Sequence, residues 1–339
     1  TKIPRFPFGG LTKIPLRFAI RRSGPVGSGG AARSGDVISQ YVSLDLTAVG
    51  AQTPVEFVQF LPIAFLVDGF TITDDDRHLY VGSGDDLTVL ARDPETGRVS
   101  LVETVPSQGV ADVAVSPDGA TVYAVSNRGQ SALEVFSRNT TTGTLTFLER
   151  FTNDVAGVTG IAGAVGVLVS PEGRTVYVSG HQTSSVAIFQ RNLSTGRLTY
   201  AGVVNLSGIT GQGGAFRAAV TDDGRFLYVP NFNNALVVFA RNANTGSLDP
   251  IQTIFGDTDG ITGLEGGFNA ELTDDPDQAT LYVAGFTKGT VAVFSRNANT
   301  GLLTFRQGAQ EIYRTFSVAP GIGGDLVYCL LYTSPSPRD

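Results

Sequence analysis

A twelve-residue string occurs twice in this sequence in nearly identical form. Residues 238–249 read VFARNANTGSLD, and residues 293–304 read VFSRNANTGLLT. The same skeleton, with an arginine, then Asn or Asp, then Thr-Gly, occurs around Arg92, Arg138, Arg191, Arg241 and Arg296. A unit repeated at intervals of about 40 to 50 residues is the mark of a repeat architecture. This periodicity therefore constrains the fold more than any other feature of the chain.

Each repeat contains two different turn sequences. The first turn reads SPDGAT at residues 116–121, SPEGRT at 170–175 and TDDGRF at 221–226, and an apolar-Tyr-apolar triplet follows it. The second turn is the Thr-Gly string, whose glycine suits the positive φ of a tight hairpin. Ser, Pro, Asp and Gly are typical turn residues. Each unit therefore predicts strand, turn, strand, loop, strand, turn and strand.

The predicted fold class is all-β, a β-propeller of four-stranded antiparallel blades. Strands such as LVVF and TVYAV are apolar on both sides, as expected of sheets covered on both faces by neighbouring sheets. Five complete blades are predicted at residues 66–106, 110–152, 164–205, 214–255 and 267–308. Partial blades are predicted at both ends, DVISQYVSLDLT and TPVEFVQFL before the complete ones and RTFSVAPGIGGDLVY after them. We expect a parent protein of seven blades.

The two ends of the chain depart from the repeat. Residues 1–36 are rich in Gly, Ser and basic residues and are interpreted as a linker or an artefact. The propeller is assigned to residues 37–328 and is expected to be truncated. Residues 329–339, which contain the single cysteine Cys329, resemble a translated sequencing adapter and are interpreted as a non-native tail.

Composition and charge exclude several classes of partner. The formal net charge is −7 and no basic run occurs, which argues against nucleic acid. The longest apolar stretches are far shorter than the roughly 20 residues of a membrane helix, so no membrane span is expected. The sequence contains no Walker loop and no His/Cys cluster with metal-ligand spacing. We expect no cofactor and no metal, while a cytoplasmic and a secreted location both stay open.

These repeats resemble those of the lactonase-type seven-bladed propellers, a family that includes a bacterial 6-phosphogluconolactonase and a fungal carboxymuconate-lactonizing enzyme. The resemblance covers about residues 37–328 and rests on the SPDG, VYV and RN..TG.LT elements. It implies a propeller that opens a sugar lactone at the mouth of its central channel. In that family the first strand of a blade often begins with His or Arg, and the proposed active sites use His, Glu and Arg. Arg217 matches such a position, whereas no histidine does.

A ligand site is sought among residues that differ between blades. A feature shared by every blade serves turning and packing, so the recurrent arginines are interpreted as structural partners at blade edges rather than anion binders. Aligning the units on the Ser/Thr of the first turn gives one equivalent position near the axis. It holds Gly69, Asp112, Gly166, Arg217, Asn269 and, in the sixth blade, Thr315 with Arg314 beside it. This set predicts an asymmetric polar pocket with Asp112, Asn269 and Arg314 as ligand-binding residues.

Two further residues are candidates for proton transfer. His181, in VSGHQTSS, is placed on a loop that faces the channel mouth and is a candidate base or anion binder. Glu265, in DGITGLEGG, is a candidate acid on the same face. The predicted catalytic set is therefore Arg217, His181 and Glu265. His78 lies in a turn on the opposite face and is expected to be exposed.

Two functions remain open from the sequence. The first is a hydrolase of a small lactone or an anionic sugar, in which Arg217 binds a carboxylate or phosphate while His181 or Glu265 moves protons and activates water. The second is a non-catalytic propeller that binds an unidentified protein partner or a ligand through its loops. Convergence of the predicted catalytic residues would favour the first function.

Overall fold

The computed structural model describes residues 21–22, 40–41, 67–211, 213–273, 275–310, 314–320 and 327–332. Two short strands, β1 (Arg21–Arg22) and β2 (Gln40–Tyr41), pair with each other ahead of the repeats. Apart from these two strands, the predicted N-terminal segment and the predicted partial blade before residue 66 lie outside the described residues.

The first three blades are antiparallel sheets whose four strands follow one another in chain order. Blade 1 consists of β3 (Val67–Ile72), β4 (His78–Ser83), β5 (Asp86–Arg92) and β6 (Val99–Pro106). Blade 2 consists of β7 (Val110–Val115), β8 (Thr121–Ser126), β9 (Ala132–Arg138) and β10 (Leu145–Thr152). Blade 3 consists of β11 (Ala164–Val169), β12 (Thr175–Gly180), β13 (Ser185–Arg191) and β14 (Leu198–Asn205).

The remaining blades repeat this arrangement after one helical turn, α1 (Ser207–Thr210). Blade 4 consists of β15 (Ala219–Val220), β16 (Phe226–Asn231), β17 (Ala235–Arg241) and β18 (Leu248–Phe255). Blade 5 consists of β19 (Gly267–Leu272), β20 (Thr280–Gly285), β21 (Thr290–Arg296) and β22 (Leu303–Gln310). Blade 6 is a pair, β23 (Arg314–Pro320) and β24 (Val327–Tyr332).

This architecture confirms the predicted all-β propeller fold. Five four-stranded antiparallel sheets are found where five complete blades were expected, and the strand bounds agree with the predicted units to within a few residues. Blade 6 supplies the two strands predicted after the last complete unit. Its second strand includes Cys329 to Tyr332, the first part of the predicted tail, and residues 333–339 lie outside the described residues.

The first strands of the blades line the axis. β3 lies against β7, β7 against β11, β15 against β19, and β19 against β23. In blades 1, 2, 3, 5 and 6 the pairing of the first with the second strand has an irregularity near the start of the first strand. Such β-bulges bend a strand and re-aim its side chains. The beginnings of the first strands therefore form a non-uniform ring at one end of the axis.

The hydrophobic core is divided among the spaces between neighbouring blades. One cluster joins Tyr80 of blade 1 to Phe136 of blade 2, and another joins Tyr123 of blade 2 to Phe189 of blade 3. The two remaining interfaces, between blades 3 and 4 and between blades 4 and 5, are filled in the same way. Each sheet is thus buried on both faces, which explains why its middle strands are apolar throughout.

The Thr-Gly turns have the conformation that their sequence predicts. Their glycines have positive φ, between 69° and 79°, a region that other residues avoid. In the turn of blade 4, the side-chain oxygen of Asn242 accepts hydrogen bonds from the backbone N–H groups of Asn244 and Thr245. The glycine also permits a close approach, since a Cβ atom on Gly246 would lie 2.6 Å from the Thr175 side chain of blade 3.

Within the described ranges, no helix has the length and apolarity needed to cross a membrane.

Candidate functional site

The ring position is occupied by a different residue in almost every blade. Strand pairing gives Gly69 opposite Gly82, Asp112 opposite Val125, Gly166 opposite Ser179 and Asn269 opposite Ala284. Arg217 takes this place in blade 4, where it forms a bridge with Asn269. The alignment on the first turn therefore identified the ring correctly in the five complete blades.

The ring residue of blade 6 is Ser317, and the predicted Thr315 was wrong. Ser317 lies opposite Leu330 directly after the bulge, the same place that Asn269 takes in blade 5. The prediction counted back as in blade 5, where the first turn is two residues longer, since Leu272 pairs with Leu281. In blade 6 Pro320 pairs with Val327, the same separation as Ile72 and Leu79 in blade 1. Arg314 begins β23, three residues before Ser317, and its predicted ligand-binding role stays a prediction.

Arg217 reaches across the ring from blade 4 to blade 2. Its Nη2 donates a hydrogen bond to the Ala111 carbonyl at 2.6 Å, and its Nε lies 3.3 Å from Asp112 Oδ1. Gly166 of blade 3 lies between them, and a Cβ atom there would sit 3.1 Å from the Arg217 Cα. Because Gly166 has no side chain, the Arg217 side chain can pass blade 3 and reach blade 2.

Asp112 is held by both of its carboxylate oxygens. Oδ1 faces Arg217, and Oδ2 accepts the backbone N–H of Val167 in blade 3 at 3.0 Å. Burial raises the pKa of Asp112, and the positive charge of Arg217 opposes that rise. The Arg217 and Asp112 side chains are 19% and 15% exposed, so the pair is only partly accessible from the mouth. It presents a guanidinium whose charge is already balanced.

Asn269, like Asp112, accepts a backbone N–H from the neighbouring blade, here between blades 5 and 6. Its Oδ1 accepts the backbone N–H of Val318 at 3.2 Å and the Ser317 hydroxyl at 3.4 Å. The side chain is buried, with 4% of its surface exposed. The backbone of Asn269 thus lies beside that of Arg217. The side-chain oxygen of Asn269 is used by the backbone of blade 6.

His181 lies on the loop after β12, on the mouth side, as predicted. Its ring centroid lies 4.9 Å from that of Phe216 and 6.2 Å from that of Phe232, with the ring planes inclined at 65° and 88°. Among the described residues the imidazole makes no hydrogen bond. Burial lowers the pKa of His181, so the ring is neutral at pH 7 and one nitrogen can accept a proton.

Glu265 does not join these residues. It is 6% exposed and accepts hydrogen bonds from the Gly263 backbone N–H at 2.9 Å and from the Thr290 hydroxyl at 3.2 Å. Lys288 Nζ lies 3.3 Å from its other carboxylate oxygen. Burial alone would raise the pKa of Glu265, but these hydrogen bonds and the Lys288 charge hold it below its usual range. Glu265 thus stabilises its own loop as a carboxylate, and its geometry does not support the predicted catalytic role.

The expectation that His78 is exposed was wrong. The residue is 4% exposed, and its Nδ1 accepts a hydrogen bond from Arg138 Nη2 at 2.8 Å. The sequence places His78 next to a turn, but only the next blade in space supplies the arginine that covers it. His78 belongs to the interface between blades 1 and 2 and not to the ring.

The recurrent arginines are scaffold residues, as predicted. Arg241 Nε donates to the Tyr177 hydroxyl of the preceding blade at 2.6 Å and pairs with Glu172 of that blade. Arg191 likewise pairs with Asp118 of the preceding blade at 2.8 Å. These contacts lie at the turn end of the sheets and repeat around the propeller.

Four phenylalanines at the mouth were missed by the sequence analysis. Phe232 and Phe286 come directly after β16 and β20, the place that His181 takes after β12. Phe216 and Phe268 come directly before the ring residues Arg217 and Asn269. Aligning the ends of the second strands, as was done for the first strands, would have found the first two. No group of three or more His, Cys, Asp or Glu within the described part of the chain is placed to hold a metal ion.

Comparison with known families places these observations in context. A family model described as "Lactonase, 7-bladed beta-propeller" matches residues 68–155, 101–201, 150–262 and 207–320, which together span most of the chain. A 6-phosphogluconolactonase of Pectobacterium carotovorum is 23% identical over 284 residues, covering 80% of this chain and 79% of the relative.

Solved structures agree on the fold. A candidate 6-phosphogluconolactonase from Bacteroides uniformis superposes with a TM-score of 0.66 at 22% identity, covering 77% of each chain. The periplasmic gluconolactonase of Pseudomonas aeruginosa superposes with a TM-score of 0.58 at 21% identity, covering 78% of this chain and 73% of the other. At such identities the superpositions establish a common fold and nothing finer.

Proposed function

Because the chain belongs to the family of lactonase-type seven-bladed β-propellers, we propose that it hydrolyses a lactone at the ring formed by the starts of its first strands. One observation carries this proposal. The ring, which is the part of the repeat that differs between blades, holds the Arg217–Asp112 pair, and the neutral His181 lies against the residue that precedes Arg217. Lactones are also the substrates implied by the names of the relatives.

In the proposed reaction, each group has one task. Arg217 donates hydrogen bonds to the lactone carbonyl oxygen, where negative charge develops as water attacks. Asp112 fixes the direction of the guanidinium through the ion pair. His181 accepts the proton of the attacking water. The bond between water oxygen and carbonyl carbon forms, the ring C–O bond breaks, and the proton passes from His181 to the leaving oxygen, giving a hydroxy acid.

The first experiment measures lactone hydrolysis by proton release with the full chain. Arg217→Ala and His181→Ala are each expected to lower kcat/KM by about 100-fold, the usual effect of losing an oxyanion donor or a general base. Arg225→Ala is the matched control, because this arginine is exposed on the opposite face and pairs with Asp223. Turnover no faster than the uncatalysed blank with every lactone would refute the proposal.

The pH profile supplies an independent check of His181. A general base acts only when deprotonated, and burial lowers the pKa of this imidazole. We therefore expect kcat/KM to fall only below pH 6.5, the ordinary pKa of histidine, with a plateau at neutral pH. An acid limb centred above pH 7 would show that another group is the base.

A non-catalytic binding propeller is the second candidate. The observation in its favour is that Asp112 and Asn269 both accept backbone N–H groups of a neighbouring blade, so these polar ring residues also serve the scaffold. In that case a lactone or a protein partner would bind at the mouth without turnover. Calorimetric binding that persists when hydrolysis is absent would favour this candidate.

A further inference from the structure

The four phenylalanines at the mouth form one continuous cluster. Phe216 lies 4.4 Å from Phe268 and 5.6 Å from Phe232, measured between ring centroids. Phe286 closes the set at 5.4 Å from Phe268 and 6.2 Å from Phe232. We call these four residues the phenylalanine cluster. His181 borders it through Phe216 and Phe232.

The phenylalanine cluster is restricted to one side of the axis. The residue directly after the second strand is Gly84 in blade 1 and Asn127 in blade 2, whereas blades 4 and 5 have Phe232 and Phe286 there. Blade 2 likewise has Ala111 before its ring residue, where blades 4 and 5 have phenylalanine. Like the ring, the cluster is not required by every blade, so the packing of the repeat does not account for it.

The phenylalanine cluster is continuous with the proposed reaction site and partly open. Phe216 is buried, but Phe232, Phe268 and Phe286 are only half-buried. Phe216 and Phe268 directly precede Arg217 and Asn269 in the chain. A molecule held by Arg217 therefore has apolar ring surface beside it on the side of blades 4 and 5.

The two described cations nearest the phenylalanine cluster are each paired with a carboxylate. Arg217 faces Asp112, and Lys288, on the loop that carries Phe286, faces Glu265 at 3.3 Å. A phosphate group carries nearly two negative charges and is normally bound by several cationic or N–H donors acting together. A balanced, apolar surface instead favours an uncharged group that loses water readily.

From the phenylalanine cluster and the paired charges beside it, we infer that the site takes an uncharged lactone with an alkyl or aryl substituent that packs on the phenylalanines. This inference rests on the proposed lactone hydrolysis and specifies its substrate class. It distinguishes this chain from a hydrolase of sugar phosphates, since the two described cations nearest the phenylalanine cluster, Arg217 and Lys288, already face carboxylates.

The test compares four lactones with the full chain: dihydrocoumarin, δ-decanolactone, glucono-1,5-lactone and its 6-phosphate. We expect kcat/KM for the first two to exceed that for the phosphorylated sugar by at least about tenfold. Phe232→Ala and Phe286→Ala are each expected to raise KM for dihydrocoumarin by about threefold to tenfold, the effect of one aromatic contact, with little change in kcat. Their KM for glucono-1,5-lactone is expected to stay unchanged.

Two controls separate binding from folding. Phe147→Ala removes an exposed phenylalanine on the outer strand of blade 2, 56% exposed, and is expected to change none of these constants. Phe232→Leu keeps an apolar side chain without the ring, so it is expected to have a smaller effect than Phe232→Ala on dihydrocoumarin. Thermal unfolding of each variant shows whether it is folded at the assay temperature.

The outcomes distinguish this inference from the function on which it rests. A preference for the 6-phosphate of about tenfold or more, with the phenylalanine variants unchanged towards dihydrocoumarin, overturns the inference and leaves lactone hydrolysis intact. Absence of turnover with all four lactones removes both. Both are supported if the substituted lactones are preferred and KM for dihydrocoumarin rises in Phe232→Ala and Phe286→Ala but not in Phe147→Ala.

Discussion

At the residue scale, the two histidines of the chain differ in role because their surroundings differ. Burial lowers the pKa of both. Nδ1 of His78 accepts from Arg138, a guanidinium that can only donate, so the ring must be neutral with its proton on Nε2. The His181 ring packs against Phe216 and Phe232 and makes no hydrogen bond to a described residue, so its nitrogens are available to a ligand. His78 is therefore structural, and His181 is the proposed base.

We predict that His78 makes the stability of the propeller depend on pH. Its folded pKa lies below the ordinary value of 6.5, so the unfolded chain binds more protons as the pH falls below 6.5. The stability from neutral His78 is fully present above pH 6.5 and is lost as the pH falls towards the folded pKa. One proton limits this loss to about 1.4 kcal/mol per pH unit. His78→Thr, which introduces the residue of the equivalent Thr121 and Thr175, is expected to flatten this dependence.

The measurement is urea unfolding between pH 5 and 8 for both proteins. Because His181 is present in both, the difference between the two curves isolates His78. Parallel curves over the whole range would show that His78 is not responsible.

The residue scale also shows where sequence reasoning succeeds. Asp112 and Arg217 were found because a constant spacing from the first turn fixes their register, and the structure pairs them. The position of Glu265 was not predictable, because a loop sequence does not reveal whether its carboxylate turns inward to Gly263 and Thr290. Contacts between distant parts of the chain decided such cases, and no local pattern encodes them.

At the element scale, each blade is fastened to the next by its second strand. The Tyr177 hydroxyl of β12 donates to the Gly246 carbonyl in the Thr-Gly turn of blade 4 at 2.7 Å and accepts from Arg241. Tyr80 and Tyr228 make the same contact to Gly143 and Gly301 of their following blades. Burial raises the pKa of Tyr177 to about 12, so the hydroxyl stays protonated and keeps donating. The repeated tyrosine and the repeated glycine are thus the two halves of one contact between blades.

We predict that Tyr177→Phe lowers the free energy of unfolding by about 1–3 kcal/mol. The change leaves the Gly246 carbonyl and Arg241 Nε without the hydroxyl in a buried place, and unmet buried polar groups carry a penalty of this size. Tyr200→Phe is the matched control, because its hydroxyl contacts Thr159 near the surface, and we expect a loss below about 1 kcal/mol. Urea unfolding gives both values, and equal losses for the two variants would contradict the prediction.

Element bounds were predictable from the turns. Asp-Gly and Thr-Gly turns set both ends of each hairpin, so the strands of the complete blades were located within a few residues. The single helical turn α1 was not predicted, because four residues are too few to show a 3.6-residue period. The ring residue of blade 6 was missed because it was counted with the longer first turn of blade 5, whereas blade 6 keeps the separation found in blade 1.

At the scale of the whole molecule, stability resides between blades rather than within them. The second strands β8, β12 and β16 are buried at every position, while the outer strand β14 alternates between buried or half-buried and exposed residues. Four of the five hydrophobic clusters in the described part of the chain draw on two neighbouring sheets, and the fifth lies on blade 1. A blade taken alone would therefore expose both of its apolar faces.

We predict that amide hydrogen exchange divides every blade along its strands. In blade 3, residues 175–191 are expected to exchange at least about tenfold more slowly than residues 198–205, because exchange in the middle strands requires separation of neighbouring blades. Peptide-resolved mass spectrometry measures both segments in one experiment. Uniform protection across the blade, or faster exchange in the middle strands, would contradict the prediction.

The glycine at position 166 has a consequence for how such a molecule diversifies. Arg217 reaches Ala111 and Asp112 only because blade 3 contributes no side chain between them. A Cβ atom there would lie 3.1 Å from the Arg217 Cα and 3.3 Å from its Cγ, so a larger residue would crowd the arginine and disturb its contact with Asp112. The turn-end fastenings of tyrosine, glycine and arginine lie at the other end of the sheets and would be untouched. A change at this one ring position can therefore alter the polar surface of the mouth while the contacts that hold the blades together are kept.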